Sequence, residues 1–332
     1  MIDPIGLAGV RVLVLSFGKA GHEINCLGVA EALGVPYEIK VVAPRPLYAR
    51  LAPFGPADRR DLPNKMHSQC ARIVLACGRV TVPYIRTLKR AAPDKTFAVF
   101  LQDPVASRGT FDLIWAPEHD RLNGPNVFAT LTSPHPFGAR RLAKERLTTD
   151  PRVAALPAPR AAILLGGPSN GYEFKAGDLA ALSEATRAIS AQGYSVMATP
   201  SRRTPVALVE AIRNGLGERG GFIWDGTGQN PYPQILAHAN AILVTGDSVN
   251  MVGEAAATGA PVYVFEPSGG ARRTSHFIAE MEARGAVRRF FGRLEPFSYA
   301  PIDSSQSIAA EIARRFADFR ARRDNAATRP SS

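Results

Sequence analysis

VTGDSVNMVGEAAATGAPVYVFE, residues 244–266, sets two β-branched apolar runs on either side of a small-residue helical stretch. Strand, TGDS turn, helix and strand follow one another there, a compact βαβ unit that requires a parallel sheet. Ser248 suits the helix N-cap and aims the helix N-terminus at a point where a phosphate can sit. Gly246, Asp247, Ser248, Asn250 and Met251 line the turn and the first helical turn, and are the first candidates for contact with a nucleotide. Glu254 lies two turns in, where its carboxylate could accept hydrogen bonds from a ribose diol. The alternative is a solvated glutamate, but AAATG (255–259) makes the rest of the helix small and buried in character, so a charge there needs a reason.

The same alternation extends in both directions. Upstream lie strands expected at AAILLG (161–166), YSVMAT (194–199), GFIWD (221–225) and AILVT (241–245), with PVYVF (261–265) after them. Helices are expected near 178–191, 204–216, 232–238, 248–258 and 274–284. An earlier series begins with RVLVLSF (11–17) and a helix over 22–33. It continues through strands at 37–42, 72–77, 96–101, 111–116 and 126–130. TTDPRVAALPAPR (148–160), rich in proline and alanine and aperiodic, marks a boundary between two doubly wound α/β domains, 1–150 and 151–332, the second ending in a C-terminal helix. Two Rossmann-like parallel-sheet domains facing across a cleft make the GT-B arrangement, and ligands there are expected beyond the carboxyl ends of the strands.

The composition sets outer bounds. A chain of 332 residues with 45% hydrophobic and 21% charged side chains is long enough for two cores and is of ordinary globular type. Cys26, Cys70 and Cys77 are few and lack metal-ligand spacing, which argues for a reducing compartment. No basic stretch precedes the short run at 10–17, so a cytoplasmic protein is expected, with a peripheral place on the inner membrane face as an extension of that reading. The net charge of +11 is uneven: 21 basic against 13 acidic side chains before residue 156, 19 against 16 from there on. The basic residues are dispersed and form no nucleic-acid motif, so no nucleic-acid partner is expected. Residues 44–66 mix Leu47, Tyr48, Leu51 and Phe54 with Arg45, Arg50, Arg59, Arg60 and Lys65, which could rest on an anionic membrane surface or form a loop with a small satellite core.

The loops after strands carry the remaining candidates. In GKAGHEINCLG (18–28), Gly18 and Gly21 permit a tight turn and His22 falls in the first turn of a helix, whose N-terminus lowers an imidazole pKa and suits a general base. The plainer reading is a strand-to-helix turn with a polar residue. GGPSNGYEF (166–174) could offer backbone N–H groups of Gly166 and Gly167, with Ser169 and Asn170, to a diphosphate, or be no more than a turn-rich loop. Arg202 and Arg203 follow a strand and could clamp phosphate oxygens. His119 and Asp120 lie within WAPEHDRLNGPNVFATLTSPHPFG (115–138) and could serve acid/base chemistry, while Glu118, Asn123 and His135 read as acceptor-site or structural polar residues. No D-x-D pair occurs, which leaves diphosphate charge to arginine and helix ends and predicts no metal site.

GHEINCLGVAEALG (21–34), PEHDRLNGPNVFAT (117–130), LLGGPSNGYEF (164–174), TPSRRTP (199–205) and TGDSVNMVGEAAATGAPV (245–262) together resemble the mitochondrial-fission ELM family, whose bacterial members are described as candidate glycosyltransferases of the GT-B kind. More distantly, Gly18 to His22 and Ser248 to Glu254 are similar to motifs of the transferase that adds N-acetylglucosamine in making lipid-linked peptidoglycan precursor, although Lys19 and Ala20 interrupt its glycine-pair pattern. The resemblance implies sugar transfer from a nucleoside-diphosphate sugar, UDP-sugar favoured, with no further cofactor, to a lipopolysaccharide or lipid-linked acceptor. It places the nucleotide in the second domain and the acceptor in the first, with His22 as base or orienter. Two other functions stay open. One is a GT-B nucleotide-sugar epimerase drawing on Asp103, Glu118 and Asp120. The other is a non-catalytic adaptor like the plant member, which is associated with recruiting a dynamin-like protein.

Overall fold

The computed structural model describes residues 7–62, 72–169, 171–217 and 220–327. They form two compact units, one comprising the chain to Pro136 together with the segment from Ser304, the other Phe137–Asp303.

The first unit runs β1 (Arg11–Ser16), α1 (Ala20–Leu33), β2 (Tyr37–Val41), α2 (Pro46–Leu51), β3 (Arg72–Cys77), α3 (Val82–Ala91), β4 (Thr96–Leu101), β5 (Leu113–Pro117) and β6 (Val127–Thr130). The six strands are parallel in the order β2-β1-β3-β4-β5-β6. Alternate residues feed opposite faces, as the pleat requires. Val12, Val14, Ile73 and Leu75 pack beneath α1, while Leu13, Leu15, Val74 and Phe100 meet Tyr84, Ile85 and Leu88 of α3.

The helix Ser304–Ala327 completes the first core and corrects its expected place in the second domain. Ile308, Ile312, Phe316 and Phe319 are buried among the first unit's strands. The Phe97 ring meets Phe316 edge-on at 5.5 Å and Phe319 at 5.6 Å. At its start, the Ser305 hydroxyl accepts from the His135 N–H and donates to the His135 carbonyl, both at 2.8 Å. An apolar stripe needs a sheet face to cover, and this helix takes that of β4 and β6, beside α1.

The second unit holds α4 (Ala139–Leu147), α5 (Pro151–Ala154), β7 (Arg160–Leu165), α6 (Ala176–Ala191), β8 (Ser195–Pro200), α7 (Val206–Gly215), β9 (Gly221–Ile223), α8 (Tyr232–His238), β10 (Ala241–Thr245), α9 (Val249–Ala256), β11 (Val262–Phe265), α10 (Arg272–Ala283) and β12 (Val287–Arg289). Its parallel sheet has the order β12-β11-β10-β7-β8-β9. The boundary expected at 148–160 moves to Pro136, because α4 and α5 dock on α8. The Gln234 amide donates to the carbonyls of Glu145 and Thr148, at 3.0 and 2.8 Å, and its oxygen accepts from the Asp150 N–H at 3.0 Å.

Every strand expected from sequence is present within two residues at either end. Chain order reverses between β1 and β3 in one sheet and between β7 and β10 in the other. Open α/β sheets bind ligands at such switch points, beyond the strands' carboxyl ends. Cys26 and Cys77 are buried free thiols, and burial pushes both thiol pKa values up, that of Cys77 to about 12. Cys70 lies outside the described residues.

Candidate functional site

At the second unit's switch point, the glycine loop after β7 closes on protein rather than on open space. The Gly166 N–H donates to Thr245 Oγ1 at 2.8 Å and the Gly167 N–H to Asp247 Oδ2 at 2.9 Å. A Cβ on Gly166 would fall 2.2 Å from Asp247 Oδ2, and one on Gly167 2.2 Å from the Arg203 carbonyl oxygen, so only glycine fits at either position. The expectation that these two N–H groups are offered to a diphosphate is therefore corrected: they hold the loop to β10 and its turn. Arg203 does the same work from the other side, donating to the Gly167 and Pro168 carbonyls at 3.0 Å each and reaching Asp247 Oδ2 at 3.3 Å. Ser169 pairs with Tyr172 in a tight turn. Asn170 lies outside the described residues.

Arg202, in contrast, is exposed and makes no hydrogen bond or ion pair among the described residues. Its guanidinium is the one of the pair open to an anion. Asp247 is buried, with Oδ1 lacking a hydrogen-bond partner among the described residues and Oδ2 held as above.

The helix after β10 follows the sequence reading closely. Ser248 is the N-cap of α9 in extended backbone, and its Oγ accepts from the Met251 N–H at 3.5 Å. Asn250 is exposed and Met251 half-buried. Gly253, Ala255 and Ala256 are buried, and this small face lets α9 lie close to β10 and β11. Glu254 is half-buried on the same helix, and its Oε2 accepts a short hydrogen bond from the Tyr232 hydroxyl at the start of α8. Burial raises the Glu254 pKa to about 7, the Tyr232 bond acting the other way. The Tyr232 ring meets Phe137 edge-on at 5.2 Å. Nothing in the sequence flagged Tyr232, which reaches Glu254 from a separate helix.

The first unit's switch point holds His22. The Gly18 N–H donates to Ser16 Oγ at 3.2 Å, and Ser16 Oγ donates to Glu23 at 2.5 Å. Side chains added at Gly18 or Gly21 would meet open space, although Gly18 has φ +82°. Lys19 supplies no side-chain cap to α1. The His22 ring lies 5.3 Å from that of Phe17. Its Nδ1 is buried without a partner among the described residues, and a Cβ on Gly78 would sit 2.4 Å from it. The residue as a whole is half-buried. Burial, then Lys19, lowers the His22 pKa, so the ring is neutral near pH 7, as a general base requires.

His119 and Asp120 share a single 3-10 turn after β5, with Nε2 and Oδ1 3.8 Å apart. Three strand spacings separate β1 from β5, about 14 Å, so this pair and His22 do not form one cluster. Asp103 is engaged by the Arg108 guanidinium at 2.5 and 3.0 Å and by the Val105 N–H at 2.8 Å. That loop contains three non-glycine residues at positive φ, Gln102, Val105 and Ser107, a strain that sequence patterning does not show. His135 is buried and ties the C-terminal helix.

Within 44–66, Leu47, Leu51 and Phe54 are 65%, 47% and 71% exposed. Arg45 is paired with Asp58 at 2.7 Å, and the buried Arg86 guanidinium holds the carbonyls of Pro53 and Phe54 at 3.4 and 3.3 Å, fixing the loop beneath these side chains. Lys65 and Met66 lie outside the described residues. Among the described residues no helix is long and apolar enough to cross a membrane.

A family model described as Mitochondrial fission ELM1 matches residues 20–316. The mitochondrial fission protein ELM1 of Arabidopsis thaliana is 29% identical over 272 residues, covering 74% of this chain and 64% of that protein. An uncharacterized protein of Rickettsia prowazekii (strain Madrid E) is 30% identical over 161 residues, covering 46% and 45%. The chain thus spans less than two thirds of the length of either curated relative. Among solved structures, the UDP-GlcNAc 2-epimerase of Methanocaldococcus jannaschii is similar over 92% of this chain and 98% of its own, with a TM-score of 0.51 at 11% identity. That likeness concerns the fold, a two-domain α/β architecture of the GT-B kind.

Proposed function

The chain belongs to the Mitochondrial fission ELM1 family, and from that premise we propose that it transfers a sugar from a nucleoside-diphosphate donor, UDP-sugars favoured, to a lipopolysaccharide or lipid-linked acceptor. The observation that carries this reading is Glu254, a half-buried carboxylate on a Ser248-capped helix at the switch point of a parallel sheet, with Arg202, unpaired among the described residues, at the carboxyl end of the same sheet. Glu254 Oε1 accepts from a ribose hydroxyl. The first-turn N–H groups of α9 and the Arg202 guanidinium neutralise the diphosphate as it leaves, a role that needs no metal ion. The anomeric bond to the diphosphate breaks, the acceptor oxygen forms the new one, and its proton passes to a neutral general base, the role proposed for His22.

An acceptor anchored in lipid fits the exposed Leu47, Leu51 and Phe54 with Arg50, Arg59 and Arg60 beside them, a mixed surface suited to an anionic bilayer. The epimerase reading has less support, because Asp103, one of its three carboxylates, is taken up by Arg108 and Val105. The test is a titration of UDP, GDP, CMP and ADP against the protein, followed by calorimetry and melting temperature. One of them should bind and raise the melting temperature; a null result with all four would count heavily against nucleotide chemistry.

A further inference from the structure

Glu254 does not stand alone in the second unit. Its Oε2 accepts from the hydroxyl of Tyr232, 22 residues earlier on a different helix. Tyr232 is held from three sides: its N–H donates to Asn230 Oδ1 at 3.0 Å, its ring rests edge-on against Phe137 at 5.2 Å, and α8 is tied to Glu145 and Thr148 through Gln234. Among the described residues Glu254 Oε1 accepts nothing. A carboxylate fixed at one oxygen and open at the other is oriented before any ligand arrives.

We propose that Tyr232 is the positioning residue of the nucleotide site: its hydroxyl fixes the orientation of the Glu254 carboxyl through Oε2 and leaves Oε1 ready to accept a ribose hydroxyl. This rests on the nucleotide reading given above. The surroundings of Glu254 support it. α9 packs on β10, β11 and α10. β10 carries no charged side chain, and the Tyr263 hydroxyl of β11 is used on the backbone of Glu295. The charged and titratable groups of α10 are Arg272, Arg273, His276, Glu280 and Glu282, and the shift of the Glu254 carboxyl is set by its burial first and then by Tyr232. A hydrogen bond to the charged form favours ionisation, so removing the hydroxyl raises the carboxyl pKa above its value of about 7.

The test compares wild type, Tyr232→Phe and Glu254→Gln for UDP binding by calorimetry from pH 5.5 to 9. Phenylalanine keeps the ring on Phe137, and glutamine keeps an acceptor for Tyr232 but cannot titrate. Wild-type affinity should fall as pH drops through about 7. In Tyr232→Phe the midpoint should move up by about one pH unit, the scale of a single charge-assisted hydrogen bond. Affinity at pH 7 should then be lower by about fivefold, with near equality at pH 9. Glu254→Gln should flatten the profile, alone and combined with Tyr232→Phe. An unchanged midpoint in Tyr232→Phe, or a shift that persists in the double variant, overturns the proposal. Should wild type bind none of the four nucleotides, the function reading fails separately. The Glu254 carboxyl 13C titration in wild type and Tyr232→Phe then decides on Tyr232: an upward shift supports its hold on the carboxylate, and no shift refutes it.

Discussion

Replacing Phe316 by alanine removes a fully buried ring from the helix that returns to the first unit. The ring lies edge-on to Phe97 at 5.5 Å and stacks with Phe319 at 6.0 Å. Truncating such a side chain costs about 3–5 kcal/mol, from lost transfer and the cavity left behind. In a unit of this size each kcal/mol shifts the midpoint by roughly 2–4 °C, so a drop of roughly 10 °C is expected. The chain's two tryptophans allow the loss to be placed, since Trp115 is buried in the first unit and Trp224 belongs to the second. Thermal unfolding followed by fluorescence in Trp224→Phe reports the first unit, and in Trp115→Phe the second. Phe316→Ala should lower the transition seen by Trp115 and leave that seen by Trp224 within about a degree. A loss confined to the Trp224 transition, or one under about 1 kcal/mol, would refute the assignment of this helix to the first core.

The two neighbouring arginines should part company: Arg202→Ala weakens UDP binding about tenfold or more with an unchanged melting temperature, whereas Arg203→Ala lowers the melting temperature by leaving the buried Asp247 carboxylate without its cation. Equal behaviour of the two in binding and melting would contradict the roles given them. His22, with its pKa lowered by burial, binds its proton less readily folded than unfolded, so its contribution to stability is fully present above pH 6.5 and is lost as pH falls through the folded value. An NMR titration of its ring should show a midpoint below 6.5, and one above it would remove the basis for a neutral general base. Leu47→Glu with Phe54→Glu should abolish co-sedimentation with vesicles containing anionic lipid and leave UDP binding intact; vesicle binding that survives both changes would exclude this surface.

Much of the fold was legible because two parallel sheets impose a strong rhythm: short apolar strands at 161–166 or 241–245 cannot be mistaken for helices of ten or more residues. The return of the C-terminal helix was not legible, since Ile308, Ile312, Phe316 and Phe319 announce a buried stripe without saying which sheet lacks cover. At the site, Ser248 and Glu254 followed from local spacing along one helix. Gly166 and Gly167 misled for a physical reason: a glycine loop admits close approach of any acceptor, and here the acceptors are Thr245 and Asp247 of the chain itself. Tyr232 and the strained Val105 escaped notice because each acquires its meaning from tertiary contact or backbone angle, which residue type does not encode.

In the proposed function α9 and Arg202 hold a nucleoside diphosphate through Glu254. Calorimetric titration of wild type and Glu254→Ala with UDP, GDP, CMP and ADP tests it most directly. One nucleotide, UDP by this account, should bind wild type at one site per chain and lose at least tenfold in affinity to Glu254→Ala. Absence of binding by all four to wild type, or binding that Glu254→Ala leaves untouched, would contradict it.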